Sequence, residues 1–429
     1  MTPATKFSRW GLISSTAATI QKVVLGFIST IAFICFAVLI YRAVTTPTIS
    51  MLPISVPKGV ADKGYTPEVL AWQLRSQLLS LVRGAKSSKA AAQIVSGPEF
   101  SAVTVPQTGM SLDMITSEIR KSFGMADFWE ISGNLEPDGD VYRMKLLLER
   151  DGGFEILESD GNSDIKKVIL TSAENILETV DPYLLASSYL DRDPDRARDL
   201  ADHIIYTFPE GDPTIVWAHI LKSAIYYNAQ DASAALKEAD TARLLAPRNA
   251  VAHLNRGSAL MDLGRADEAM AALHESISLD PTDARPHVML GTALKSTAVG
   301  KIDAAISQFR TAVELGNDDA ISHYALANGL KVRGRDREEA ATEFRKSIEL
   351  DDTFALAHFG LANILCEGPV SDENLREALE HFQKAVAIAP KSTRFNNALT
   401  CAERLRARPI EQSGHVPIAT FEGNCACTK

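Results

Sequence analysis

Apolar and polar positions across residues 214–390 return in the same order five times. Each turn of the pattern contains a triplet spaced four and then three: Ala235/Ala239/Ala242, Ala269/Leu273/Ser276, Ala305/Phe309/Ala312, Ala340/Phe344/Ser347 and Ala378/Phe382/Ala385. Steps of four and three keep all three residues on one face of a helix. The small ends let a partner helix come close, and the middle residue fills the groove between them. Upstream of every triplet a first helix is predicted, with a small residue near its centre: Ser223, Gly257, Gly291, Ala327 and Ala362. Nearer its start stands a His; His219, His253, His287, His323 and His358 recur at intervals of 34, 34, 36 and 35 residues. Gly264, Gly300, Gly334 and Gly368 mark the turn inside the pair, and Pro247, Pro281 and Pro390 close three of the units. A period of this size predicts a stacked array of five helix pairs, each burying its apolar face only against its neighbours.

Ahead of the array the pattern changes. Residues 23–41 are an apolar run broken only by Gly26, Ser29 and Thr30. At about 1.5 Å per residue it nearly matches a hydrocarbon core about 30 Å thick. A transmembrane anchor is therefore expected at 23–42, after a basic tail at 1–22. A cleaved signal peptide is the alternative, although the run is long for one and "YRAVTT" is a poor cleavage site. Lys6, Arg9 and Lys22 precede the run, and no Asp or Glu occurs before Asp62. The positive-inside tendency then predicts a cytoplasmic amino terminus with the repeats across the membrane; Arg42, at the far edge, counts against it.

Residues 43–63 are rich in Pro and Gly and are expected to form a linker. Thr66-Pro67 then opens a helix whose stripe includes Leu70, Leu74, Leu78 and Leu81. A short strand is expected at 103–105, and Ser111 caps a helix with Leu112, Ile115, Ile119 and Phe123 on one side. Residues 128–135 and 141–149 flank "EPDGD", a turn signal, and predict a hairpin with Tyr142, Met144, Leu146 and Leu148 alternating towards a core. With a trailing helix around 164–180, these make a small α/β domain at 64–180. Ala197, Ala201 and Ile204 repeat the four-three spacing, which predicts a degenerate capping repeat at 181–213. A capping helix is expected at 391–408, with Leu399, Ala402 and Leu405 inward, and a flexible tail at 409–429. The expected class is mainly α: one transmembrane helix, a small α/β domain, and the array.

Residues 257–281, "GSALMDLGRADEAMAALHESISLDP", carry small, Gly, Ala and Pro landmarks in the order of the tetratricopeptide repeat, and the array resembles that family. His stands where the family often has an aromatic, and Asn317 and Asp352 where Pro is usual. The resemblance implies a right-handed α-solenoid whose first helices line a concave groove for a polypeptide. By helical position the groove should present Arg285, Lys295, Tyr324, Asn328, Lys331, Phe359 and Asn363. In the family an Asn at the place shared by Asn328 and Asn363 often clamps a peptide backbone. With Lys295 and Lys331 this implies an acidic or carboxylate-ended protein or peptide partner; the alternative is that these side chains only solvate an open groove. The stretches "ISVPKGVADKGYTPEVLAWQL" and "VPQTGMSLDMITSEIRKSFG" resemble segments of membrane-anchored bacterial repeat proteins. That resemblance implies a bacterial inner membrane, with the repeats periplasmic.

A net charge of -10 over 429 residues argues against nucleic acid as a partner, because phosphate binding needs a basic face. Outside the cytoplasm Cys366, Cys401, Cys425 and Cys427 could pair in three ways. No cofactor, metal site or catalytic residue is assigned. Neither His253 nor His381 is followed four residues on by a second His, and Gly300-Lys301 lacks the rest of a phosphate loop. A metal would need imidazoles converging at ~2.0–2.1 Å, whereas equivalent places in successive helix pairs stand roughly 8–10 Å apart. The His column is therefore expected to pack between helices as a ladder. Two functions follow: a membrane-tethered scaffold working through its groove, or a regulatory or sensory subunit of an envelope complex whose α/β domain binds a ligand or partner. An enzyme is the third class, with any catalysis confined to 64–160.

Overall fold

The structure, a computed structural model, describes residues 48–85, 93–96, 128–150, 153–297, 301–316, 319–367 and 372–406. The expected anchor at 23–42, the strand at 103–105, the helix from Ser111 and the tail at 409–429 lie outside the described residues. Among the described residues no helix is long and apolar enough to cross a membrane. The chain forms two compact units that divide between Ile204 and Ile205.

The first unit is built on a five-stranded sheet of order β2-β1-β3-β4-β5. Its strands are β1 (Thr48–Ser55), β2 (Gln93–Ser96), β3 (Phe128–Asp138), β4 (Val141–Arg150) and β5 (Gly153–Glu158). β1 pairs in parallel with β2 and β3, and β3, β4 and β5 run antiparallel in turn. Residues 43–63 are thus not simply a linker. They supply a strand with neighbours on both sides, with Ile49, Met51 and Ile54 buried, followed by the one-turn helix α1 (Lys58–Ala61). Pro47 and Pro53 disguise the strand in the sequence; the register shift between Met51 and Ile54 accommodates Pro53, which has no amide to give to the ladder.

In the hairpin, β3 runs on through Pro137 and Asp138, and Gly139 supplies the positive φ of 61° at the two-residue turn. Met144, Leu146 and Leu148 are buried as their alternation implies, whereas the Tyr142 hydroxyl accepts a hydrogen bond from Lys63 Nζ at 3.2 Å.

Helix α2 (Pro67–Gly84) starts where Thr66 Oγ1 accepts from the Val69 amide, and its Leu stripe is buried against β1. Helices α3 (Ile165–Val180) and α4 (Pro182–Tyr189) complete this core, α4 packing on both α2 and α3. Residues 182–189 therefore belong to the sheet unit and not to a capping repeat. Helix α5 (Pro194–Thr207) buries Ala197, Ala201 and Ile204. At its start Arg196 lies over the Tyr189 ring at 4.3 Å, as does Arg192 at 4.0 Å, and the Tyr189 hydroxyl donates to Glu174 on α3. Burial, then the bond to Glu174, pushes that hydroxyl up to about 12, so it stays a donor.

The second unit contains five helix pairs: α6 (Pro213–Asn228) with α7 (Ala232–Leu245), α8 (Ala250–Asp262) with α9 (Ala266–Leu279), α10 (Ala284–Thr297) with α11 (Ile302–Leu315), α12 (Ala320–Arg333) with α13 (Arg337–Leu350), and α14 (Ala355–Leu365) with α15 (Asp372–Ile388). Helix α16 (Thr393–Arg406) packs on α15 and ends the stack. Every member of the five triplets is at most 1% exposed. The small centres of the first helices have a steric cause: a Cβ on Gly291 would stand 2.5 Å from the Phe309 ring, and one on Gly257 2.7 Å from Leu273. The two serines that end a triplet also satisfy a helix-start carbonyl, Ser276 Oγ donating to Ala250 O at 2.9 Å and Ser347 Oγ to Ala320 O at 2.7 Å. Asp212, Asp231, Asn249 and Asp319 cap α6, α7, α8 and α12 through side-chain oxygens.

Candidate functional site: the first-helix row

Successive first helices touch: α6 meets α8, α8 meets α10, α10 meets α12 and α12 meets α14. The second helices make no comparable contact with one another among the described residues. Axes that converge on one side and spread on the other make the first-helix side the concave one. Charge divides along the same line. The five first helices hold one acidic residue, Asp262, against Lys222, Arg256, Arg285, Lys295, Lys331 and Arg333. The five second helices hold fifteen Asp and Glu. In a chain of net charge -10 the row is therefore a basic strip on an acidic molecule.

Most of these cations are already engaged. Lys222 reaches Glu238 at 3.2 Å, Arg256 reaches Asp240 at 2.9 Å, and Arg333 joins Asp303 and Asp336. Arg285 forks onto its neighbour Asp283 at 2.7 Å, and Lys331 meets Glu367 at 3.4 Å. Lys295 differs: it is half-buried, has no ion pair or hydrogen bond among the described residues, and burial alone holds its ammonium below the usual lysine range. The Asn328 side chain, half-buried, is likewise without a hydrogen bond there. Tyr324 rests its ring on Phe344 and Phe354, at 5.9 and 5.0 Å, and burial raises its hydroxyl above the usual tyrosine range. Lys295, Tyr324, Asn328 and Lys331 thus remain partly open to solvent on two neighbouring first helices.

Phe359 and Asn363 do not belong with them. Phe359 is 4% exposed and lies between Phe395 of α16, at 4.8 Å, and Phe382 of α15, at 5.8 Å. Asn363, also 4% exposed, donates from Nδ2 to Phe359 O at 2.8 Å, and its Oδ1 is buried without a partner. Helical position put both on the open face, but Asn363 turns back on its own helix, and the capping helix covers Phe359. The same helix brings a residue that the repeat pattern could not reveal. Arg394 is exposed, stacks its guanidinium 4.5 Å over the Phe359 ring, and has no carboxylate partner among the described residues. It stands outside the repeat register, so no periodic signal pointed to it.

The His column is a ladder. His219 Nδ1 meets Glu238 at 2.6 Å, His287 Nδ1 meets Gln308 at 2.8 Å, and His323 Nδ1 meets Glu343 at 2.6 Å, each within its own helix pair. His253 turns to Pro247 O at 2.9 Å, and His358 meets His381. Among the described residues no group of three or more His, Cys, Asp or Glu is placed to hold a metal ion.

Residues 224–284 match a family model described as Tetratricopeptide repeat. No curated protein matches the chain. Similar solved structures include a thermophilic tetratricopeptide-repeat protein of Thermus thermophilus, at 19% identity over 44% of this chain and 99% of that one, with a TM-score of 0.39. PilF of Pseudomonas aeruginosa is 18% identical over 52% of this chain and 96% of its own, with a TM-score of 0.41. YrrB, titled a tetratricopeptide-repeat protein with an unusual peptide-binding site, is 21% identical over 48% of this chain and 96% of its own, with a TM-score of 0.32.

Proposed function

We propose that the chain, whose second unit carries tetratricopeptide repeats, is a membrane-tethered scaffold that holds an acidic or carboxylate-ended polypeptide along its first-helix row. The observation that carries this reading is the segregation of charge, one acidic residue on the first helices against fifteen on the second. A basic strip on an acidic protein attracts an anionic segment. Lys295 adds a specific cost and gain. An ammonium already half stripped of water, with no ion pair among the described residues, gains more from an incoming carboxylate than a solvated one does, because its desolvation has been met in folding. Tyr324 and Asn328, on the next first helix, offer a donor and an amide for the ligand backbone. Lys331 exchanges Glu367 for the ligand.

The apolar run at 23–42 would anchor the scaffold in a bacterial inner membrane, with the amino terminus cytoplasmic and the repeats periplasmic. A phosphatase joined to the carboxyl end should then be active in a bacterial host; activity of a cytoplasm-only reporter at that end would reverse the orientation. For the groove, the detergent-solubilised full chain is titrated with a twelve-residue Glu-rich peptide bearing a free carboxylate. Lys295→Glu with Lys331→Glu should weaken binding by about tenfold or more, each tenfold being about 1.4 kcal/mol, and leave helicity unchanged. Equal binding by the variant would remove the first-helix row as the site.

A further inference from the structure

Four of the five first-helix His side chains meet their partner helix at the position just before the buried middle of the triplet. That position holds Glu238, Ala272, Gln308, Glu343 and His381 in turn. Two rungs therefore end on a carboxylate, which welcomes a charged imidazole. One ends on a neutral amide. At the Ala rung, His253 bonds backbone instead. The fifth rung alone joins two imidazoles, with Nδ1 to Nδ1 2.8 Å and ring centroids 5.1 Å apart.

A contact between two ring nitrogens at that distance holds one proton. His358 Nε2 lies 3.0 Å from Asp352 O and so carries a hydrogen that it donates. Neutral His358 then accepts at Nδ1 from the N–H of His381. Charging His358 would set two N–H groups against each other unless His381 moved its hydrogen from Nδ1 to Nε2. Charging His381 would place the new proton on Nε2, whose nearest carboxylate, Glu377, stands 4.0 Å away and is already bound to Arg345 at 2.9 Å. The remaining charges facing the pair are Lys384, which opposes a proton on either ring, and Asp351 and Asp352 beside His358, which favour one there. An unfolded chain has no such restriction and takes up two protons near the ordinary His value of about 6.5.

We propose that the His358–His381 contact makes the last helix pair an acid-opened segment, in which α14 parts from α15 and the capping helix under acid conditions that leave the carboxylate rungs closed. His358 directly precedes Phe359, which is wedged between α15 and α16, so separating the rings also loosens the cap. The proposal stands apart from what the row binds.

Burial is the first cause that depresses both rings, with His381 lowered to about 4. A depressed folded value gives stability that is present above about 6.5 and lost as pH falls from there towards 4. Hydrogen exchange of the full chain, corrected for intrinsic rates, reads this segment by segment. Between pH 7.5 and 5.5, protection of α14–α16 should fall about tenfold relative to α8 and α9, the ratio that values of about 6.5 and 4 give at pH 5.5. His381→Gln copies the Gln308 rung and His381→Glu the Glu238 rung; each should abolish the fall. Proton NMR of the unsubstituted chain supplies a test independent of either variant, with a His381 midpoint below 5 expected. An equal pH response in α8–α9 and α14–α16, a fall that persists in His381→Gln, or a midpoint near 6.5 would each overturn the proposal.

Discussion

At the scale of single residues, close approach decides more than polarity does. Gly291 lies against the Phe309 ring, with no room for a methyl group. Gly291→Ala should cost about 1–3 kcal/mol, the usual range for overpacking, even though Ala is the better helix former. A chemical melt of the full chain checks it; a neutral or stabilising change would mean that Phe309 can shift. Phe359 and Asn363 carry the opposite lesson. They have the spacing of groove residues and are buried: a helix outside the repeat register covers Phe359, and Asn363 turns back on its own helix. Arg394→Ala should leave stability within about 0.5 kcal/mol, as for an exposed side chain, while removing the cation from the end of the row.

Single helices owe their ends to caps and their pairing to the ladder. Asp319 accepts from the Ile321 and Ser322 amides and from the Ser322 hydroxyl, at 3.2, 3.0 and 2.6 Å. Asp319→Ala should destabilise α12 by about 0.5–2 kcal/mol. In a stacked array the loss should appear as faster exchange in α12 and its neighbours, with α6 unaffected. The rungs at the two ends of the array should also part company in acid. Burial pushes the Glu238 carboxyl up, but hydrogen bonds and charge from His219 and Lys222 outweigh it and hold the group below the usual carboxylate range. Its contribution is present above about 4.5 and lost only as pH falls through the lower folded value. Exchange in α6 and α7 should therefore hold to a lower pH than in α14 and α15, and simultaneous loss at both ends would contradict this.

For the whole molecule the charge pattern sets the expected salt response. Binding of an acidic peptide should weaken steadily between about 0.05 and 0.5 M salt, as the screening length shrinks past the spacing of the row's cations. A salt-independent affinity would point to apolar recognition instead. Removing residues 391–429 should uncover Phe359 and Phe382 and release the last helix pair, because a terminal unit needs a lid with a polar outer face. The sheet unit has a comparable apolar display at one edge. Phe154 and Ile156 of β5 are 72% and 64% exposed on one side of the strand. A six-residue strand behind two glycines gave the sequence little alternation to reveal it.

The sequence by itself determined the helix pairs. A repeat only has to bury its own triplet against its neighbours, so local spacing at Ala305/Phe309/Ala312 and its equivalents specifies the packing without distant information. The scarcity of acid on the first helices is legible in the same way, once the helices are placed. The tertiary structure alone decided the rest. β1 is a strand because β2 and β3 flank it, not because residues 48–55 look like one. Phe359 is core because α16 arrives from beyond the repeats. His358 differs from His219 because the residue it meets, 23 positions on, is another imidazole. Each of these depends on a partner far along the chain, and periodicity carries no record of such partners.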